Sequence, residues 1–400
     1  MNGKRNMRAY AATAGGFLLM AVLHTALHSS FSLFLLPVTE SIGMPRSVFT
    51  LCTSIVALIS LLLSPAMGKW MSGKQLRLLF IVCVAGFGIS YAGYGLAQNA
   101  LHFFLVSVVV GIFSCGATAI PVSIILTDWL PESSGTAVSI AYAGSGIGGA
   151  IITPFLADVL ATHGWRSAFV FIALTMLAIG LPAALFLLRP NPEKVPARAV
   201  KSDKNAENPI ATLLKKPYFL VFLLGIFFSC FVAFAQSSHN SPHLSVVYNE
   251  SFSALLISFM MLVQTPAKIL LGRLYDKKGV RTATLFVMGC AAVSMLAYPL
   301  IADRFLIWPA VALVAIGNCC GTVSPPVLTS SIFGTKYYGY IFGVVNTVLM
   351  LAKMIGPPLC ALIYDASGSY TYAWLLCALF SVLSILCFFY AHTQAQKDRT

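Results

Sequence analysis

The sequence predicts an all-α membrane protein: twelve transmembrane helices in two pseudo-symmetric halves of six. Three observations carry this expectation. The 400 residues are 58% hydrophobic and 9% charged, where a soluble domain carries about 25% charged residues; mean hydropathy is +0.86. Twelve apolar stretches run along the chain, each near or above the roughly 20 residues a spanning helix needs; a transmembrane barrel would alternate over about ten residues instead. Twenty of the 25 Lys and Arg residues fall on alternate connections, on the side that holds both termini.

The N-terminal half, 1–188, opens with Lys4, Arg5 and Arg8, then an apolar run at 10–36. That run is too long for a leader's apolar core, and no small-residue cleavage site follows, so it reads as a retained helix. Stretches at 48–68, 78–97, 101–126, 136–160 and 167–188 complete the half. The fifth holds 143-AGSGIGGAIITP-154, whose Gly144 and Gly148 are expected to let helices pack closely. Trp129, after Asp128, reads as an anchor at the membrane edge. Residues 189–216, rich in Pro, Lys and Asn, form a solvated connector.

The C-terminal half, 217–400, has stretches at 217–240, 252–273, 282–302, 305–332, 340–364 and 371–391. The seventh span ends in 236-QSSHNSPH-243, which reads as a Pro-broken outer mouth. The tenth carries 317-GNCCGTVSPPVLTSS-331, where Pro325 and Pro326 remove backbone donors and are expected to kink the helix.

The net charge of +13 sits at the membrane surface. Against twenty basic residues on one side, the other has Arg46, Arg166 and Arg304. The positive-inside rule therefore predicts a multi-pass protein of the inner (plasma) membrane with both termini cytoplasmic. The basic balance is topology rather than nucleic-acid binding. The ten cysteines all fall in apolar stretches without zinc-type spacing and read as small packing residues. No nucleotide loop, metal cluster or catalytic arrangement is present, so no enzyme and no cofactor is expected, and energy would come from a gradient.

The two basic residues left over lie inside apolar stretches. Lys353 is roughly half a membrane from either end of 340–364, and Lys268 lies within 252–273. A cation at the bilayer centre costs roughly 2.5–3.5 kcal/mol on insertion scales, so it marks function by default. Two cations without a nearby carboxylate predict a site for an anion. Lys268 is five residues from Arg273, about 7.5 Å along a helix, so snorkelling to the surface is its competing reading. Asn346, seven residues before Lys353, shares its helical face. His24 and His28, with Thr25, Ser29 and Ser32, make a polar stripe on the first span; they read as carboxylate donors, as carriers of a coupling proton, or as packing histidines bonded between helices.

The halves resemble each other. After the second span comes 68-GKWMSGKQLR-77; after the eighth, 272-GRLYDKKGVR-281. Asp158 and Asp365 mark corresponding places near the ends of the fifth and eleventh spans. Two six-helix repeats are an alternating-access architecture. The segment 272–281 resembles the G-x-L-x-D-[RK]-x-G-x-[RK] loop of the major facilitator superfamily. The resemblance makes Gly272, Asp276 and Arg281 gating residues, the Asp latching neighbouring helix ends; the first-half copy has Ser72 at the Asp position. The glycine-rich fifth span, 164-GWRSAF-169 and 31-FSLFLLPVTESIGMPRSVFT-50 resemble the monocarboxylate porter and oxalate:formate antiporter branch.

By that resemblance Lys268 stands where the branch has a carboxylate-binding arginine, and Lys353 matches the antiporters' lysine. Gln264 stands where proton-coupled porters have an aspartate. The implied function is secondary active transport of a small mono- or dicarboxylate, by exchange or uptake, with Lys353 and Lys268 binding the carboxylate. The alternative is proton-coupled monocarboxylate symport through His24 or His28. Efflux of another small organic compound and a non-transporting sensor are further readings; the short cytoplasmic segments offer a sensor no output domain. Expected partners are the carboxylate, a proton or counter-anion and the lipid bilayer, with the chain a monomer.

Overall fold

The structure, a computed structural model, describes residues 2–28, 31–44, 46–73, 75–192, 209–248, 250–298, 303 and 305–398. Among them every regular element is helical, and nine helices are long and apolar enough to cross a membrane. The first four are α1 (Met7–Leu27), α2 (Val48–Met71), α3 (Leu76–Leu96) and α4 (Ala100–Trp129). The next, Pro131–Leu187, has 57 residues; straight, it would be about 85 Å long, nearly three hydrocarbon cores. It breaks at Gly164, with φ 76° and ψ 171°, into α5 (131–163) and α6 (165–187). After α7 (Pro217–Asn240), the run Leu255–Ala297 breaks in the same way at Gly279, with φ 79° and ψ 176°, into α8 (255–278) and α9 (280–297). A Cβ at either glycine would meet nothing within 4 Å. The positive φ, not space, calls for glycine there.

α10 is a pair, Ile307–Gly321 and Ser324–Phe333, bent by 51°. The bend precedes the prolines expected to cause it. Pro325 and Pro326 lie in the first turn of the second segment, where a missing N–H leaves no helical bond unmade. α11 (Tyr338–Ser367) and α12 (Thr371–Lys397) complete the set. With the two long runs divided and the bent pair joined, the described residues give the twelve expected spans. The helix of α7 runs on to Val247, so Pro242 does not break it; membrane helices tolerate proline where neighbouring groups satisfy the freed carbonyl.

The chain divides into two compact units. The first comprises Met1–Pro131, Ile140–Ala206 and Thr335–Thr347; the second comprises Glu132–Ser139, Glu207–Gly334 and Val348–Thr400. The first turns of α5 therefore belong with the second unit, and those of α11 with the first. Of the connector 189–216, residues 193–208 lie outside the described residues, and Pro209–Leu214 is a short helix.

In the first unit, glycines set the approach of α1 to α5. A methyl at Gly144 would fall on the carbonyl of Phe17, and one at Gly148 on that of Ala21. Thr25 donates across the same contact to the carbonyl of Ser145 (3.2 Å). Two of the three segments that carry the branch resemblance, 31–50 and 164–169, meet in this unit. Phe34 stacks on Phe169 (ring centroids 3.8 Å apart) and Phe31 on Phe49 (4.9 Å), with Trp165 at 6.2 Å from Phe169. Their shared pattern is an aromatic core. Trp129 is buried, and its Nε1 donates to the carbonyl of Arg189 (2.7 Å); it clamps the end of α6 instead of anchoring in lipid. All ten cysteines are free.

Candidate functional site

α8 carries four chosen residues one turn apart: Gln264, Lys268, Gly272 and Asp276. At i, i+4 spacing each neighbours the next along the helix surface. At its end, Asp276 accepts from the backbone N–H of Gly135 (3.0 Å) and Thr136 (2.7 Å) and from the Thr136 hydroxyl (2.6 Å). These amides open α5, so the carboxylate faces the positive end of a helix dipole. Gly272 lets the backbones touch: a methyl there would overlap the Gly135 carbonyl and the Ser139 side chain. Arg281 Nη2 donates to the Thr393 hydroxyl (2.9 Å).

The first unit has the same contact without the charge. α2 meets the start of α11 through Gly68, Gly339 and Gly343; a methyl at Gly68 or Gly343 would collide with backbone, and one at Gly339 with the Ser72 hydroxyl. Ser72 folds onto its own helix, donating to the Gly68 carbonyl (2.7 Å). Pro65 brings no N–H to the carbonyl of Leu61, and the Thr347 hydroxyl donates to it instead (3.3 Å). Asn346 belongs here: its Nδ2 donates to Ser64 Oγ (2.6 Å). Asn346 and Lys353 share one continuous helix, two turns apart, and the Asn346 amide is hydrogen-bonded to Ser64.

One turn further into α8, Lys268 is only 5% exposed, so it has not snorkelled to the surface. Beside it, Gln264 Nε2 donates to Asn318 Oδ1 on α10 (2.8 Å). Asn318 Nδ2 in turn faces α7, at 3.0 Å from the Ala233 carbonyl, 3.1 Å from Ser237 Oγ and 3.4 Å from Gln236 Oε1. The Nε2 of Gln236 is buried and finds no acceptor among the described residues. A buried amide donor left unmade costs about 1–3 kcal/mol. The cluster thus holds an unused N–H, one helical turn from the buried Lys268, and no Asp or Glu occurs in α7, in α10 or in residues 255–275 of α8. Such a set can receive an anion.

Lys353 approaches the other flank of α7. Its Nζ is 5.8 Å from the Phe234 ring centroid, within cation–π range. Pro357 offers no N–H to the Lys353 carbonyl. Close packing of α11 on α7 sets this contact, since a Cβ at Gly356 would lie 3.2 Å from the Phe231 carbonyl. Higher up, His239 Nε2 donates to the Pro357 carbonyl (2.8 Å), and His243 packs among Tyr298, Tyr370 and Trp374, ring centroids 4.9–5.7 Å away. α7 is thus the wall that the amide cluster and Lys353 share. The polar 236–243 segment, expected to be an outer mouth, has partners inside the second unit.

His24 lies in the first unit, half-buried, at the end of a π-helical turn, Met20–His24; such turns recur at functional sites. Backbone at His28 is helical, but its side chain lies outside the described residues, as do Ser29 and the side chain of Ser32.

The sequence profile of the Major Facilitator Superfamily matches residues 17–352. The chain belongs to the Major Facilitator Superfamily. This facilitator is therefore a multi-pass membrane protein of a family of transporters. It is 23% identical over 384 residues to human monocarboxylate transporter 12, covering 87% of this chain and 73% of the human protein. Against the rat protein of that name it is 24% identical over 297 residues, and spans 61% of that protein's length. It is 25% identical over 333 residues, 76% of each chain, to the "Probable sulfoacetate transporter SauU" of Cupriavidus necator. In fold it matches the human organic anion transporter MFSD10, with a TM-score of 0.67 and 18% identity over 96% of this chain and 99% of that one.

Asn318, Gln236 and Ser237 were not singled out from sequence as site residues. The available signal was an amide inside the apolar run Ile307–Gly321, together with the polar end of α7. Only packing shows that the two converge beside Lys268.

Proposed function

We propose that this facilitator moves a small organic anion, a mono- or dicarboxylate, by alternating access, its two halves rocking around a site in the second. One observation carries the reading: Lys268 is buried one turn from the Gln264–Asn318–Gln236 amide cluster, with an N–H donor still unused. An ammonium and amide N–H groups in a carboxylate-free, low-dielectric interior bind an anion by charge-assisted hydrogen bonds. Lys353, held over Phe234, supplies the second cation. The curated relatives named for monocarboxylate and sulfoacetate transport support this class of cargo. Asp276 at the start of α5 is the gate's latch, gripping in one state and releasing in the other. Both termini face the cytoplasm, and the chain acts as a monomer.

The test is uptake into liposomes of labelled mono- and dicarboxylates, with and without carboxylate trapped inside and with and without an inward proton gradient. Uptake that needs internal carboxylate establishes exchange. The second reading, proton symport, is favoured by His24 on its π turn; a pH-gradient dependence lost in His24→Ala or His28→Ala would select it. Normal transport by both Lys268→Ala and Lys353→Ala would overturn the site.

A further inference from the structure

Away from the lysines, the first unit holds a cavity of about 510 Å³ whose walls include Arg8, Arg77, Arg189, Trp129, Phe186 and Leu187. Three arginines line it, and among the described residues no lining residue is Asp or Glu. Arg8 lies near the start of α1, Arg77 at the start of α3 and Arg189 just past the end of α6, so all three sit where helices leave the membrane. None forms an ion pair among the described residues. The cavity is built, not draped. Trp129 Nε1 holds the Arg189 carbonyl, Asn191 Nδ2 donates to the Asp128 carbonyl (3.3 Å), and Arg189 Nε is fixed on the Leu185 carbonyl (3.1 Å), which leaves its two terminal amino groups for a ligand. A Cβ at Gly15 would lie 2.7 Å from that of Leu187, so α1 and α6 are pressed together along one wall.

Three like charges around one cavity repel unless an anion joins them, and guanidinium pairs with phosphate through two parallel hydrogen bonds. The flank is apolar: Phe186 is 66% exposed, beside Leu187 and Trp129. The geometry points to a binding site for a phosphate group carried by an amphipathic molecule, the headgroup of an anionic phospholipid, with its acyl chains along α6. A soluble phosphate monoester shares the headgroup's chemistry. The site is separate from the lysine site and does not rest on the transport reading.

The test compares wild-type protein, Arg8→Gln/Arg77→Gln/Arg189→Gln, and a control, Lys277→Gln/Lys278→Gln, which removes exposed charge from the end of α8. Each is delipidated in detergent and offered phosphatidylglycerol or phosphatidylcholine, with retention read by native mass spectrometry. Glycerol phosphate binding is measured separately by calorimetry. The wild type and the control should retain phosphatidylglycerol at least tenfold over phosphatidylcholine, and the triple variant should lose that preference. Glycerol phosphate binding lost in the triple variant, without lipid preference, would make the source a soluble phosphate. Equal behaviour of all three proteins, or equal loss in the control, overturns the site. If the triple variant does not fold, Arg8→Gln and Arg77→Gln singly, both at exposed positions, should each weaken retention several-fold.

Discussion

Under the proposed function, the buried Lys268 ammonium carries the charge that meets the anion. Lys268→Met should fold, because it keeps the length and removes the buried charge, while uptake kcat/KM falls at least tenfold. Lys268→Arg should retain part of it, the guanidinium keeping the charge with altered geometry. Asn318→Ala removes the hub that joins Gln264 to α7 and should raise KM more than it lowers kcat; an unchanged KM would place the amides outside the substrate path. Asn346→Ala should leave KM alone and lower thermal stability slightly, since a hydrogen bond between membrane helices averages about 0.6 kcal/mol.

Elements in this protein meet at glycines. α1 packs on α5 at Gly144 and Gly148, α2 on α11 at Gly68 and Gly343, and α8 on α5 at Gly272 and Gly135, each where a methyl would strike backbone. Gly148→Leu should therefore abolish folded protein on size-exclusion chromatography, whereas Gly289→Ala, where a Cβ meets nothing within 4 Å, should be silent. Asp276→Asn keeps the shape but loses the charge facing the α5 N-terminus. It should lower kcat more than it changes substrate affinity, a split that a purely structural role would not produce. At the chain's end, Lys216 and Asp398 pair at 2.5 Å, both well exposed. The Lys216 ammonium holds the Asp398 carboxyl below its ordinary range. The sign follows: the pair's contribution is present above the unfolded carboxylate pKa and fades as pH falls through the lowered folded one. Exposed pairs are screened and weak, so Asp398→Asn should flatten the acid side of the melting profile only slightly, and high salt should have the same effect.

At the scale of the whole molecule, the candidate residues divide between the units. Lys268, Lys353, Gln264, Asn318 and Asp276 belong to the second; His24, Asn346 and the arginine-lined cavity belong to the first. If the second unit holds the anion, transport should saturate with carboxylate and be inhibited competitively by sulfonates of similar size. Uncompetitive behaviour in the liposome assay would indicate a separate anion site.

The sequence by itself determined the class of molecule. Apolar length fixes a helix in a bilayer because the backbone must satisfy its own hydrogen bonds there, so the spans, the connections and the two stray lysines were legible one stretch at a time. The breaks at Gly164 and Gly279 belong to the same local physics. Tertiary structure decided which polar groups meet. Helical spacing placed Asn346 on the face of Lys353, and packing adds what the sequence did not show, a bond from its Nδ2 to Ser64. Trp129, at a helix end, had the sequence of a membrane anchor and is a buried clamp. Asn318 and Gln236, far apart in the chain, became partners of each other and, through Gln264, of the helix that carries Lys268. Periodicity says which face of a helix a residue shares, but the partner across that face depends on how closely two backbones approach, and here the glycines set that distance.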